Sequence, residues 1–213
     1  MTIMHHPGDE LLLGYALGSS SEPVALLIAT HLSFCAICRA AVRDIEAAGG
    51  AMLSDFEPTA MNARALQSVL SRLDDKVPGA AQPAAVSGDV PMVLRAYVGD
   101  EFAKARWIAV APGLAHMPLL TRGSTRARLI RAKPGAAVST HSHRGEELTL
   151  VLTGSYRDET GVYRPGDVQS TTPEIMHRPV AEAGPVCINL AVTDAPLVFE
   201  NLLPSLIGRF FGF

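Results

Sequence analysis

The second half of the chain holds three side chains of the kinds that bind metal ions, at a spacing that brings them together. His141 and His143 are separated by one residue, and Glu147 follows four residues later. Side chains alternate between the two faces of a β-strand, so both imidazoles of an H-x-H pair lie on one face. Gly145 allows a turn, after which Glu147 at the start of the next strand faces the same point. This arrangement predicts a site for a divalent transition metal.

A second group of ligand-type residues lies near the N-terminus, where His31, Cys35 and Cys38 form an H-x3-C-x2-C pattern. On a continuous or slightly broken helix these positions are i, i+4 and i+7, and they share one face. A redox pair of cysteines and a set of unliganded core residues are the alternatives. No βαβ context of the thioredoxin kind surrounds the C-x-x-C, so the pattern predicts a metal site.

The fourth ligand of this N-terminal site is predicted from helix lengths. If residues 9–18 and 22–32 form two antiparallel helices, both are about 15 Å long at 1.5 Å per residue. The residue just before the first helix then lies beside the end of the second. This residue is His6, with His5 as a competitor. Two thiolates and two imidazoles match the tetrahedral coordination of structural zinc, so a closed zinc site is predicted.

Hydrophobic periodicity predicts that the first part of the chain is a small bundle of about four helices. Apolar residues recur at helical spacing from Asp9 to about Asp75. Residues 18–22 form a break between the first two helices, with Pro23 in the first turn of the second. Gly49 and Gly50 are expected to end the third helix. The predicted helices span residues 9–18, 22–32, 35–48 and 59–75.

Residues 78–91 combine Pro, Gly, Ala and Ser without periodicity, as flexible linkers do. The pattern of apolar residues changes after this segment. Beyond it, short apolar runs alternate with Gly/Pro turns, a pattern typical of an antiparallel β-barrel or sandwich. An α+β chain is therefore predicted, with a helical domain at residues 1–77 and a β domain at residues 92–213. The apolar runs are residues 107–111, 127–131, 148–152 and 186–192.

Composition excludes several classes of protein. The chain has 213 residues, 48% of them apolar and 18% charged, which suffices for one large or two modest folded domains. Its net charge is −3, and apolar residues interrupt the arginine cluster within residues 122–131. Proteins that bind nucleic acid directly carry a sustained basic surface, so direct nucleic-acid binding is not expected.

No membrane segment is expected either. The longest uncharged stretch, from Pro23 to Cys38, has 16 residues, whereas a spanning helix needs roughly 20 apolar ones. The N-terminus lacks a basic region followed by an apolar one, so no secretory signal is visible. The three cysteines are too few for a disulfide framework. These observations predict a soluble protein located in the cytoplasm.

The metal-ligand pattern of the second half resembles the cupin superfamily. The first cupin motif, G-x5-H-x-H-x3-E-x6-G, is matched at every position, from Gly135 to Gly154. The second motif, G-x5-P-x-G-x2-H-x3-N, is matched only at Gly166 and His177, because Thr172, Glu174 and Ala181 replace its Pro, Gly and Asn. The resemblance implies a cupin-type barrel in which His177 completes the ligand set.

Such a three-His, one-Glu site suits Zn, Mn, Fe or Ni and leaves coordination positions open for water or a small ligand. The alternative is an apo cupin whose ligand residues hold no metal.

Taken over essentially its whole length, the chain resembles the ChrR-type anti-sigma factors, which join a zinc-binding anti-sigma domain to a cupin domain. The resemblance implies that the N-terminal domain sequesters an extracytoplasmic-function sigma factor. It also implies that the cupin domain is required for release under oxidative stress, caused by singlet oxygen or organic hydroperoxides. The resemblance rests on His6, on the segments 31–38 and 141–152, and on residues 193–197.

Release is expected to begin at the cupin metal and to reach the helical domain across the linker. Oxidation of the zinc-bound Cys35 or Cys38 is the rival route. A different class of function is a metal-dependent cupin enzyme of the dioxygenase type, which needs acid or base groups inside the β domain. The sequence does not place the candidates there, which are Tyr156, Arg157, Glu159 and Glu174. A zinc-dependent module for a partner other than a sigma factor is the third hypothesis.

Some features are predicted to be structural. Cys187 is expected to fill a strand as a small apolar residue, although a sensory thiol is the alternative. The apolar segment 202–213 is expected to pack on the β domain or across a dimer. A homodimer formed through the cupin domain is compatible with these features.

Overall fold

The structure is a computed structural model that describes residues 2–73, 75 and 88–199. Most of the predicted linker, and the apolar segment 202–213, lie outside the described residues. The predicted domain boundaries therefore stay predictions. The order of elements, helices first and antiparallel strands second, is the predicted α+β order.

The N-terminal helices are α1 (Asp9–Ala16), α2 (Glu22–Phe34), α3 (Ala36–Leu53) and α4 (Ala65–Leu70). Pro23 lies in the first turn of α2, where its missing N–H costs nothing. Cys35 has an extended backbone and separates α2 from α3, which are bent by 120° relative to each other. Within the described residues no single helix is long and apolar enough to cross a membrane, and only the bent pair α2 and α3 meets that criterion jointly.

Two predicted helix ends were wrong. Helix α3 continues through Gly49 and Gly50 to Leu53, because a helical glycine costs only about 1 kcal/mol relative to alanine and the neighbouring residues are good helix formers. Helix α4 is shorter than the predicted span 59–75. Before it, the Asn62 side chain accepts the backbone N–H of Arg64 at 2.8 Å, and this local turn competes with helical hydrogen bonding.

The β domain begins with two short 3-10 turns (Met92–Leu94 and Phe102–Lys104) around α5 (Arg95–Val98). The strands are β1 Ile108–Ala111, β2 Leu114–Arg122, β3 Thr125–Ala132, β4 His141–His143, β5 Glu147–Thr153, β6 Tyr156–Asp158, β7 Gly161–Tyr163, β8 Val168–Thr171, β9 Val180–Ala181, β10 Cys187–Thr193 and β11 Leu197–Phe199. Each of the four predicted apolar runs forms a strand, except for Trp107 and Val186, which precede β1 and β10. The largest sheet is antiparallel with the order β1-β2-β3-β10-β5-β8, and two smaller sheets have the orders β11-β4 and β7-β6-β9.

Strand β10 lies at the centre of the large sheet and is buried along its whole length. Its Leu190 is opposite Leu129 on β3 and Leu150 on β5, and all three side chains are fully buried. A strand that is covered on both faces is typically apolar along most of its length. The run at residues 186–192 is apolar at every position except Asn189, which is buried as well.

Helix α2 joins the helical part to the β domain. It contacts β2, β3, β5 and β10, and its Leu27 and Ile28 are fully buried in the same core cluster as Leu129 and Leu190. An amphipathic surface helix would carry a polar face, whereas α2 is apolar on most sides. The helical part and the β domain therefore share one hydrophobic core.

Candidate metal centres

Four side chains near the N-terminus converge on one point, and we call them the N-terminal cluster. Nδ1 of His6 lies 3.4 Å from Sγ of Cys35 and 3.3 Å from Sγ of Cys38. With His31, the four candidate ligand atoms all lie within 4.8 Å of one another. The structure thus brings together the four residues that the sequence predicted as a set.

The helix geometry explains this convergence. His31 lies in the last turn of α2, Cys35 at the corner between helices, and Cys38 in the first turn of α3. His6 precedes α1 and lies beside the end of α2. His5 points elsewhere: its Nδ1 is 3.5 Å from Oδ2 of Asp167. Of the two competing histidines, His6 is therefore the one that faces the cysteines.

The N-terminal cluster fits a zinc ion. The carbonyl of Gly166 can only accept, so His31 Nδ1, 2.8 Å away, must donate to it. This leaves the lone pair on Nε2 of His31, which is buried and has no hydrogen-bond partner among the described residues. Burial and the adjacent Cys35 raise the pKa of Cys38 to about 12. Buried thiols of this kind ionise when a divalent cation compensates their charge.

A second group, which we call the β-domain cluster, is buried within the sheets and consists of His141, His143, Glu147 and His177. Nε2 of His177 lies 3.1 Å from Nε2 of His141 and 3.1 Å from Nε2 of His143. Oε2 of Glu147 lies 3.5 Å from Nε2 of His143. All four ligand atoms lie within 4.8 Å of one another.

The strands that carry the β-domain cluster follow the predicted alternation. His141 and His143 are on one face of β4, and Glu147 is the first residue of β5. His177 lies between β8 and β9. Its backbone N–H donates a hydrogen bond to the His141 carbonyl at 3.0 Å, and its carbonyl accepts one from the His141 N–H at 3.1 Å. Thr172 and Glu174 depart from the second cupin motif, yet His177 still lies beside the other three residues of the cluster.

Two partners outside the cluster fix the orientation of its rings. Nδ1 of His141 donates to the Ser139 carbonyl at 2.8 Å, and Nδ1 of His177 donates to Oδ2 of Asp158 at 2.8 Å. Both protons therefore lie on Nδ1, and both Nε2 lone pairs face the centre. Burial lowers the pKa of His141 to about 4, so this ring is neutral at physiological pH. Converging lone pairs repel one another unless a cation lies between them.

Asp158 is itself held by the β domain. It accepts hydrogen bonds from Gln169 Nε2 at 2.7 Å and from the Thr160 backbone at 2.8 Å. Burial alone would raise the pKa of Asp158, but the hydrogen bonds from His177, Gln169 and Thr160 hold this pKa well below its usual range. Burial raises the pKa of Glu147 to about 7. The donor set, three imidazoles and a carboxylate, fits a divalent transition metal.

A cavity of about 160 Å³ adjoins the β-domain cluster. His141, Glu147 and His177 lie at its wall, and most of the remaining lining is apolar. Cys187 also lines it, and burial raises the pKa of this thiol to about 12, in keeping with its predicted place inside a strand. The cavity gives a small molecule access to one side of the cluster.

Asp158, which orients His177, is a functional residue that was not predicted from the sequence. Of its neighbours, Tyr156 is buried, whereas Arg157 and Glu159 are exposed. The alternation of strand β6 was the available signal, because Asp158 is two residues from Tyr156 and so shares its face. Glu174 is exposed and lies outside the cluster.

Comparisons with known proteins agree with this architecture. Residues 96–195 match the family model of the ChrR cupin-like domain. The anti-sigma-E factor ChrR of Cereibacter sphaeroides is 43% identical over 211 residues, which is 99% of both chains. This chain belongs to the ChrR family. In the crystal structure of Rhodobacter sphaeroides SigE in complex with the anti-sigma ChrR, one chain is 42% identical and superposes with a TM-score of 0.74, covering 90% of this chain and 99% of that one.

Membership of the ChrR family confirms the resemblance predicted from the two ligand patterns. It also confirms the predicted fold class, N-terminal helices followed by antiparallel strands of cupin type. The ChrR relative is an anti-sigma-E factor, so the ChrR match favours the regulatory hypothesis over the dioxygenase-like one.

Proposed function

We propose that this protein is a zinc-dependent anti-sigma factor, which binds an extracytoplasmic-function sigma factor through its N-terminal helices and releases it under oxidative stress. The observation that carries the proposal is the 43% identity, over 99% of the chain, to an anti-sigma-E factor. A ChrR chain is also found bound to SigE in a solved structure. The protein acts in the cytoplasm, where sigma factors meet RNA polymerase, and contacts the sigma factor rather than DNA.

The surface that supports sigma binding is the apolar stretch from the end of α3 to residue 73, which we call the apolar arm. Helix α4, within it, contains no buried residue. Monomeric proteins rarely leave so many apolar side chains in contact with water unless a partner covers them. An amphipathic or apolar helix that docks in a groove is a common recognition mode. The exposed side chains are Met52, Leu53, Phe56, Met61, Leu66, Val69, Leu70 and Leu73.

Zinc is the metal proposed for the N-terminal cluster, with His6, His31, Cys35 and Cys38 as ligands. Four N/S ligands complete a tetrahedral shell and leave no position for a substrate. The role of this zinc is to hold the corner between α2 and α3, and its binding free energy becomes folding free energy for these helices.

For the β-domain cluster we propose Zn, Mn, Fe or Ni, bound by His141, His143, Glu147 and His177. A mixed N/O site with four protein ligands keeps positions open. The neighbouring cavity of about 160 Å³ supplies an apolar approach to it, which suits an organic hydroperoxide or a similarly small oxidant. This cluster is the proposed sensor, and a homodimer through the β domain is compatible with it.

Co-purification tests the proposal directly. The full-length chain would be co-expressed with each candidate extracytoplasmic-function sigma factor of its host and purified with and without a zinc chelator. We expect one sigma factor to be captured at equal stoichiometry and lost after chelation. Zinc-loaded protein that captures none of the sigma factors would refute the proposal.

The sensing role has its own test. The double variant His141→Ala, His143→Ala removes two imidazoles from the β-domain cluster and leaves the apolar arm intact. We expect this variant to bind the sigma factor normally and to retain it during exposure to singlet oxygen or an organic hydroperoxide. A normal stress response in this variant would contradict the sensing role.

A further inference from the structure

A contact between the two parts of the molecule lies directly behind the N-terminal cluster. The turn between β7 and β8, residues 164–167, which we call the β7–β8 turn, packs against the segment that precedes His6. The backbone N–H groups of Met4 and His5 donate to Oδ1 of Asp167 at 2.8 and 3.0 Å. The carbonyl of His5 accepts from the N–H of Val168 at 3.0 Å. Three hydrogen bonds thus fix the chain immediately before a cluster residue.

Asp167 is built into the turn as a carboxylate. It is 2% exposed, and its Oδ2 accepts the backbone N–H of Arg164 at 2.9 Å. Burial alone would raise the pKa of Asp167, but hydrogen bonds from Arg164, Met4 and His5 keep this pKa below its usual range. Hydrogen bonds to an ionised acceptor are roughly twice as strong as neutral ones, so this carboxylate is well suited to hold a chain segment.

The same turn touches a second cluster residue. The carbonyl of Gly166 accepts from Nδ1 of His31 at 2.8 Å, which directs Nε2 of that ring toward the cysteines. Gly166 has a φ of +92°, and a Cβ at this position would lie 2.7 Å from Cδ1 of Ile3 and 3.3 Å from Cβ of Phe34. Only glycine allows the turn to approach the N-terminal segment this closely.

We propose that the β7–β8 turn is a positioning element of the N-terminal zinc site, in which the Asp167 carboxylate holds the His6 segment and the Gly166 carbonyl orients His31. Neither residue is a ligand, and both belong to the β domain. The inference rests on the proposed zinc at the N-terminal cluster. It adds a second route to the expected one across the linker, because the β domain contacts the zinc-ligand segment and His31 directly.

The test compares Asp167→Ala with Asp167→Asn in the full-length protein. Alanine removes the acceptor for Met4 and His5, whereas asparagine retains an oxygen that accepts the same N–H groups. The measurement is the rate at which zinc passes from the protein to a chromogenic chelator. Partners of ligands, when removed, typically cost 10–100-fold in metal affinity. We expect zinc release to be at least about 10-fold faster in Asp167→Ala and to be restored in large part by Asp167→Asn.

Cobalt substitution makes the readout specific for this cluster, because only a site with cysteines gives a thiolate-to-cobalt charge-transfer band. We expect Asp167→Ala to alter the ligand-field spectrum of the cobalt protein, as the loss or displacement of one imidazole would. The matched control is Asp89→Ala, which removes a hydrogen bond in which the Asp89 carboxylate accepts the backbone N–H of Phe102 at 2.9 Å. It should release zinc at the wild-type rate.

The outcomes are distinct. If Asp167→Ala releases zinc at the wild-type rate, the positioning role is overturned. It is also overturned if Asp167→Ala and Asp89→Ala lose Tm to the same extent and release zinc equally faster than the wild type. Absence of the charge-transfer band in the wild-type protein overturns the proposed zinc site, and the inference falls with it. Failure to capture a sigma factor, together with faster zinc release in Asp167→Ala, overturns the proposed function and leaves the inference standing.

Discussion

At the scale of single residues, Asp158 supports the β-domain cluster without being one of its four members. Its Oδ2 accepts from Nδ1 of His177 at 2.8 Å, while Gln169 and Thr160 hold the carboxylate in place. A carboxylate behind a histidine ligand fixes its tautomer and increases the basicity of the opposite nitrogen. The metal affinity of the cluster is therefore expected to depend on Asp158.

We predict that Asp158→Ala lowers the metal affinity of the β-domain cluster about 10–100-fold. The affinity is measured by competition with a chelator of known strength. Glu159→Gln changes the neighbouring exposed carboxylate and should have no effect. Equal affinities for Asp158→Ala and the wild type would show that His177 is oriented by other contacts.

Ionisation of Glu147 makes the unfolding free energy of the metal-free protein depend on pH. Burial raises its pKa from 4.5 to about 7, so the folded state holds this proton more tightly than the unfolded chain. The stabilising contribution of Glu147 is complete below about pH 4.5 and is lost as the pH rises through about 7. His141 acts in the opposite sense: burial lowers its pKa from 6.5 to about 4, and its contribution is lost as the pH falls through that value.

We predict that Glu147→Gln, which cannot ionise, makes the slope of unfolding free energy against pH more positive in the metal-free protein between about pH 4.5 and 7, because the loss due to Glu147 is removed and the opposite contribution of His141 remains. Urea unfolding at several pH values after treatment with a chelator measures this slope. Glu146→Gln, at the exposed neighbouring position, should leave the slope unchanged. A wild-type slope in Glu147→Gln would contradict the assignment.

At the scale of elements, the apolar arm concentrates exposed apolar side chains in one stretch of the chain. We predict that Leu66→Asp lowers sigma affinity at least 10-fold, since truncating or charging a central apolar contact typically costs about 2 kcal/mol. Stability should change by less than about 0.5 kcal/mol, as is usual at exposed positions. Calorimetric titration with the captured sigma factor and thermal unfolding measure the two quantities.

The matched control for this prediction is Gln67→Asp, which adds the same charge to the adjacent exposed residue of α4. It should reduce the affinity far less than Leu66→Asp. Equal losses for the two variants would mean that the negative charge, rather than the loss of an apolar contact, weakens binding.

Local patterns predicted the elements that carry ligands. The H-x-H spacing predicted the shared face of β4, because it follows from strand periodicity. The H-x3-C-x2-C spacing predicted one face of a continuous or slightly broken helix, whereas the chain bends by 120° at Cys35 and the three residues converge at the bend. The end of α3 was not predictable in the same way, since Gly49 and Gly50 weaken a helix without ending it. Strand alternation places Asp158 on the same face as Tyr156, but the contact of Asp158 with His177 and that of Asp167 with Met4 join residues far apart in the sequence, and local patterns do not encode those contacts.

At the scale of the whole molecule, the two predicted domains share a core. Leu27 of α2 is fully buried in one cluster with Leu129, Leu150 and Leu190 of the β domain. A continuous core of this kind favours unfolding in a single cooperative step. This contact was not predictable from the sequence, because an apolar helix can pack within a bundle as well as against a sheet.

We predict that Leu27→Ala lowers the unfolding free energy of the entire protein by about 2–5 kcal/mol, as large cavities in cores do. Far-UV circular dichroism reports mainly the helices, and the fluorescence of Trp107 reports the β domain. Both transitions should shift together. Leu53→Ala makes the same change at a position that is 71% exposed and should have little effect. Separate transitions for the two signals would contradict a shared core.

The shared core also orders events on the ribosome. Helix α2 ends at Phe34, and its partner strand β10 begins at Cys187, so about 150 residues separate them. At a synthesis rate of about 5–20 residues per second, this interval lasts roughly 8–30 s. During it, the N-terminal helices and their zinc ligands have left the ribosome, whereas the β7–β8 turn and the proposed sensor are incomplete. Each newly synthesised chain therefore passes through a stage in which the zinc ligands have emerged but the turn that contacts them and the strands that bury α2 have not.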